Sequence, residues 1–160
     1  MMKALFFHNP HQKESRDLLS ELNDPRIEVI DFMVARNTYY FRGTPAVRIG
    51  TETGVAWQKS VDLTVEEIQE AIAQARELSL VITPTEITVD TPVAVEAIAY
   101  DISGQVASLP LDVKIVVDDN TEISSGIAEI TFEDPGVYRI RAMGSVSMPA
   151  EMEVVVNASI

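Results

Sequence analysis

The sequence predicts an α+β chain of two domains, the first a mixed α/β unit of order βαβ-ββα and the second a β-sandwich. Three observations predict it. Strand-like and helix-like apolar patterns alternate through the first half, the second half alternates apolar and polar residues between turn signals, and the charge balance changes at the same place. Residues 1–80 carry nine Lys and Arg against twelve Asp and Glu, whereas residues 81–160 carry three against thirteen. Domains at 1–80 and 81–160 follow. The apolar junction Ser79-Leu80-Val81-Ile82-Thr83-Pro84 predicts a short, stiff linker. With 46% apolar and 23% charged residues over 160 positions, the chain can bury a core.

In the first half, Lys3 to His8 reads as a buried strand, and Asn9-Pro10 supplies a cap followed by proline at the first helical position. A helix from about His11 to Leu22 follows, with Leu18, Leu19 and Leu22 on one face, and Asn23-Asp24-Pro25 stops it before a strand at Ile27 to Phe32. Pro45 to Ile49 and Val55 to Trp57, joined through Gly50 to Gly54, read as a hairpin. The capping box Thr64-Val65-Glu66-Glu67 opens a last helix, whose stripe Ile68, Ala71, Ile72 and Ala75 carries it to about Leu78. The second half holds strand patterns at Glu86–Val89, Val93–Tyr100, Leu111–Val117, Ile127–Phe132, Val137–Ala142 and Met152–Val156. Ile115, Val117, Ile130, Phe132, Tyr138 and Ile140 alternate with polar neighbours, so one face of each strand belongs in a core.

Composition excludes several function classes. Without cysteine there is no thiol chemistry, disulfide or cysteine-held metal, and His8 and His11 are the whole supply of imidazoles. A net charge of −13 repels phosphate backbones, so nucleic acid is not expected as a partner. No apolar run approaches the ~18 residues that span a bilayer, and MMKALFFHNP turns polar too soon for a secretory signal. The expectation is a chain that does not insert into membranes and is cytoplasmic at synthesis.

Phe7-His8-Asn9-Pro10-His11-Gln12-Lys13-Glu14-Ser15-Arg16 resembles the active-site stretch of the arsenate reductase and redox-regulator branch of the thioredoxin-like superfamily. In that branch a strand ending in His-Asn-Pro leads to a catalytic cysteine and then to a Ser-Arg pair. Here Gln12 stands at the nucleophile's position, and Thr44-Pro45 before a strand is similar to the family's cis-proline. The resemblance implies a thioredoxin-like domain without redox catalysis, since an amide is not a nucleophile. It also implies a vestigial groove of His8, Asn9, Gln12, Ser15, Arg16, Thr44, Pro45 and Ala46, open to glutathione, a peptide or an oxyanion. The connection from Met33 to Gly43 leaves room for only a loop or a couple of turns. Ser15 as a replacement nucleophile would need His8 or His11 as its base, with no carboxylate placed to orient either.

Tyr39, Tyr40 and Phe41 form an adjacent aromatic cluster beside Arg42, a candidate contact patch or a set of rings packed over neighbouring strands. Glu133 to Ile140 resembles the Asp-x-Gly-x-Tyr corner of immunoglobulin-like domains, with Asp134, Gly136 and Tyr138 in the motif and Ile140 where antibody domains have cysteine. The resemblance is to bacterial and phage modules, which implies an adhesive, spacing or virion-associated role. Asp118 to Glu122 is weighed as a calcium loop against an acidic hairpin tip, and the spacing favours the tip. The function expected is a non-catalytic structural or interaction protein with no cofactor or metal. Its partners are proteins, a second copy of the chain included.

Overall fold

The structure, a computed structural model, describes residues 1–159. The chain divides into two compact units, one of Met1–Ala75 with Asp101–Gln105, the other of Arg76–Tyr100 and the residues from Val106 on.

In the first unit the elements run β1 (Lys3–His8), α1 (Lys13–Glu21), β2 (Ile27–Asp31), α2 (Phe32–Ala35), β3 (Ala46–Gly50), β4 (Val55–Ser60) and α3 (Val65–Gln74). Their sheet has the order β2-β1-β3-β4, with β1 parallel to β2 and antiparallel to β3. Both faces of β1 and β3 are buried, which is why KALFF and AVRIG read as continuous runs rather than as alternation. Leu5, Phe7 and Ala46 pack with Ala35, Ile30, Tyr39 and Phe41 on one face. On the other, Ala4, Phe6, Val47 and Ile49 are enclosed, as are the apolar stripes of α1 (Leu18) and α3 (Ile68, Ala71, Ile72).

The second unit is made of strands. They are β5 (Arg76–Thr83), β6 (Ile87–Thr88), β7 (Pro92–Tyr100), β8 (Val106–Ala107), β9 (Lys114–Val117), β10 (Thr121–Ile123), β11 (Ile127–Thr131), β12 (Gly136–Met143), β13 (Ser147–Met148) and β14 (Ala150–Asn157). Two five-stranded sheets result, ordered β10-β9-β12-β14-β6 and β11-β7-β5-β13, with β8 pairing β7. Their inner faces share one core, in which Val93, Val95, Ala97 and Leu80 of one sheet meet Ile115, Ile140, Ala142, Val154 and Val156 of the other. This is the β-rich, sandwich-like arrangement expected from the alternating pattern.

The predicted class is corrected. Strands take 46% of the chain and helices 14%, in three sheets with three short helices among the described residues, so the protein is mostly β. The structure does not give the thioredoxin-like α/β half or the α+β assignment built on it. Both long helical patterns shrink. Asn9 does not cap α1; its Oδ1 accepts from the His11 N–H in a local turn, and Gln12 occupies the cap position without a side-chain bond to the helix. The α3 pattern stops at Gln74 rather than Leu78, because Leu78, Leu80 and Ile82 also fit a period of two. Pairing of Glu77–Thr83 with Tyr100–Ala94 then wins over a further helical turn. Leu111 is fully exposed, since Pro110–Val113 forms a turn and β9 starts only at Lys114. No helix among the described residues is long and apolar enough to cross a membrane.

Candidate functional site

The loop after β1 and the first turn of α1 hold the segment singled out in the sequence, and its polar groups are bound to one another. Ser15 is completely buried, and its Oγ accepts from the Asn9 N–H at 2.9 Å and lies 2.9 Å from His8 Nδ1. A hydroxyl held this way is within reach of a base, but no substrate can approach it. Arg16 Nη1 donates to the Pro10 carbonyl at 2.9 Å, so the guanidinium closes the loop. His11 is exposed.

Gln12 is brought to Thr44, whose Oγ1 donates to Gln12 Oε1 at 2.8 Å across 32 residues of sequence. The Thr44–Pro45 bond is cis, as is Thr83–Pro84. Beside this bond lies a cavity of about 240 Å³ lined by Gln12, Glu14, Leu18, Thr44, Pro45 and the segment Val61–Leu63. The structure does not bring the other groove candidates to it. His8, Asn9, Ser15 and Arg16 lie outside its lining, and Ala46 is buried within β3, paired with Phe7 on one side and Ser60 on the other. The Pro45 carbonyl already accepts from the Val61 N–H. With Glu14 and Asp62 as its charged groups, the cavity repels anions rather than attracting them.

The three adjacent aromatics separate. Tyr39 stacks on Phe7 with ring centroids 5.4 Å apart and Phe41 meets the same ring at 4.7 Å, so two of them are core, and Tyr40 alone is well exposed. In the second unit Tyr138 Oη donates to the Asp134 carbonyl at 2.7 Å, and its ring lies 4.5 Å from that of Phe132. Gly136 at the start of β12 has φ +151, a backbone that side chains disfavour. The acidic run turns the β9–β10 hairpin, with Asp118 and Asp119 both at positive φ and the Asn120 N–H returned to the Val117 carbonyl. Asp118 Oδ1 accepts from the Arg139 N–H, Asp119 pairs with the guanidinium groups of Arg139 and Arg141, and Glu122 pairs with Lys114.

No family model, curated protein or solved structure matches the chain.

Function must then be read from surfaces and cavities. The second unit has four basic side chains, and they are unevenly placed. Arg76 donates to the Ser108 carbonyl, while Lys114, Arg139 and Arg141 all project from the outer face of the β9/β12 sheet. There they pair with Glu122, Asp119 and Glu151. The outer face of the other sheet has none of these cations. Ile127, Glu96 and Val81 form one cross-strand row, followed by Glu129, Ala94 and Thr83. Ile127 is 67% and Val81 43% exposed, and neither Glu96 nor Glu129 has an ion-pair partner among the described residues.

Sequence reasoning missed this face, although the alternation that identified the core strands also assigns their outward residues. It also missed Arg48, the one charged residue inside the apolar run of β3. Arg48 is only 7% exposed, donates through Nη2 to the Thr51 and Gly54 carbonyls at 2.8 and 3.0 Å, and places its guanidinium 4.7 Å over the Tyr39 ring.

Proposed function

We propose that the protein is a non-catalytic interaction protein whose contact surface is the outer face of β11, β7 and β5. Its partner is a protein presenting an apolar patch with basic residues beside it. The observation that carries this reading is the row Ile127, Glu96 and Val81, in which exposed aliphatic side chains flank a carboxylate that has no cation of its own. Apolar area supplies the non-directional part of association, and carboxylates left unpaired in the free protein select a complementary charge and speed encounter. A second copy docked on the same face would set these carboxylates against one another, so the partner is a different protein. The class sought is a structural or surface protein, virion components included.

Two further observations support the absence of catalysis: the burial of Ser15, and the use of Asn9 and Arg16 in local hydrogen bonds and of Gln12 in its bond with Thr44. The cavity at Pro45 is a weaker candidate for a glutathione or oxyanion site, because its charged side chains are Glu14 and Asp62.

The test is a pull-down from source cells with three baits: the wild-type chain, Val81→Glu/Ile127→Glu, and the control Val137→Glu/Val155→Glu. The control residues face each other across β12 and β14 and are as exposed as the first pair. Stoichiometric partner retained by wild type and control but lost by the first variant is the expected result. Equal retention by all three, or loss with the control alone, overturns it.

A further inference from the structure

We propose that the cavity at Arg48 in the first unit is a binding site for a small ligand through an oxyanion group, a phosphate or a carboxylate. This inference is independent of the interaction surface above. The cavity measures about 320 Å³, and Lys3, Tyr39, Arg48, Thr51 and Thr53 are in its lining.

The first argument is the cost of burial. A guanidinium taken out of water needs compensation, and full compensation normally includes an anion. In this unit Lys13, Arg26 and Lys59 each have a carboxylate, on Asp17, Asp24 and Glu67 respectively. Arg48, the most deeply buried cation among them, has carbonyls and an aromatic face but no carboxylate among the described residues. Those neighbours fix its position and leave its charge uncancelled.

The second argument is that two of its donors are free. Both interactions with the β3–β4 turn use Nη2, which leaves Nε and Nη1 without protein partners, and neither atom is sealed from solvent. Arg48 is in the lining of the cavity, and an oxyanion there is what these two donors lack. The turn is built to hold this arrangement. A Cβ at Gly50 would lie 2.3 Å from the Gly54 carbonyl oxygen, the same oxygen that receives Arg48, so glycine allows the turn to fold back over the strand.

The third argument is the second cation. Leu5 pairs with Arg48 and Lys3 with Gly50, which puts Lys3 diagonal to Arg48 on the same face of the sheet, within reach of one small anion. The hydroxyls of Thr51 and Thr53 bond to each other at 3.1 Å, which leaves one O–H of the pair as a donor at the turn. One carboxylate, Glu52, is also in the lining, but it is exposed and makes no ion pair with Arg48 or Lys3 among the described residues. An oxyanion seated here would accept from Nε and Nη1 of Arg48 and lie beside the Lys3 ammonium, with Tyr39 forming an aromatic wall.

The experiment is an NMR amide-shift titration of the whole chain with inorganic phosphate and, in a separate arm, with acetate, at ionic strength held constant with sodium chloride. The expected result is saturable shifts at Lys3, Arg48, Thr51 and Thr53 in at least one arm. The arm that saturates identifies the group, and saturation in both identifies a site for either anion. Lys3→Glu, a change at an exposed side chain, should weaken binding at least tenfold while leaving the rest of the spectrum in place. Arg48→Lys should do the same if it folds, and Lys3→Glu decides the matter if it does not. No saturable shift in either arm beyond the chloride control overturns the proposal, as does a Lys3→Glu titration equal to wild type.

Discussion

The two sheets of the second unit share a core and differ in what they show to water. On the β9/β12 sheet, Lys114, Arg139 and Arg141 are each matched to Glu122, Asp119 or Glu151, so every cation of that face has a carboxylate, and Glu153, across from Arg139 in register, is the carboxylate left over among the described residues of β12 and β14. On the β7/β5 sheet, Glu96 and Glu129 stand beside Ile127 and Val81 with no cation to match. The same alternation along each strand builds both, so the difference lies entirely in which outward residues the sequence supplies. A surface whose carboxylates mostly have cations of their own gains less from a basic partner than one whose carboxylates have none.

The most drastic way to break the comparison is to remove the core that both faces share. Ile140 is fully buried between the sheets, and Ile140→Ala should destabilise the chain by about 3 kcal/mol, read from the midpoint of urea unfolding. A loss below about 1 kcal/mol would mean that the sheets do not depend on one core. Next in size is Ser15→Val in the first unit, which leaves the Asn9 N–H without its acceptor and should cost about 1–3 kcal/mol while partner capture is unchanged. If capture falls while the fold survives, the contact surface includes the first unit.

A smaller effect sharpens the contrast between fold-directed and partner-directed charge. Thr64→Ala removes the α3 capping box and should cost about 1 kcal/mol. Within that box the Glu67 carboxyl is held below the usual glutamate range, first by its bond to the Lys59 ammonium and also by the Thr64 N–H. Because its pKa is lower folded than unfolded, the stabilisation is present above the usual glutamate range and is lost as pH falls through the folded value. Melting temperatures followed downward from pH 7 should show this acid-side loss, and Glu67→Gln should flatten it. The smallest effect belongs to the β9/β12 face. Arg141→Ala should change stability by no more than about 1 kcal/mol, since exposed ion pairs contribute little, and adding salt should move wild type and variant toward each other.

How much of this was legible in the sequence varied with the length of the pattern. Val93 to Tyr100 alternates over a whole strand, and the structure buries Val93, Val95, Ala97 and Ala99 while turning Glu96 outward. The Thr64 capping box was visible because both of its partners are within four residues. The fold class was misread because the helices stay short while the second unit alone supplies ten strands, and the end of α3 was misplaced because Leu78 continues its apolar spacing while also opening the alternation of β5. Local pattern could not choose between them, and pairing with a strand twenty residues away did. Strands of two or three residues, such as β6, β10 and β13, leave no periodic signal. Of the candidate site, the likeness around His8 to Arg16 drew attention to residues whose bonds are local, and the Gln12–Thr44 contact came to light only with the fold. Arg48 could have been noticed as a charge within a buried run. The carbonyls and ring that surround it are brought there by the turn and by the loop after α2.

The central claim is that one outer face of the second unit makes the contact, and oxidative footprinting of the captured complex tests it most directly. Side-chain labelling at Val81 and Ile127 should fall on binding while Val137 and Val155 label as in the free chain. Protection of Val137 and Val155 with Val81 and Ile127 unchanged would contradict the account.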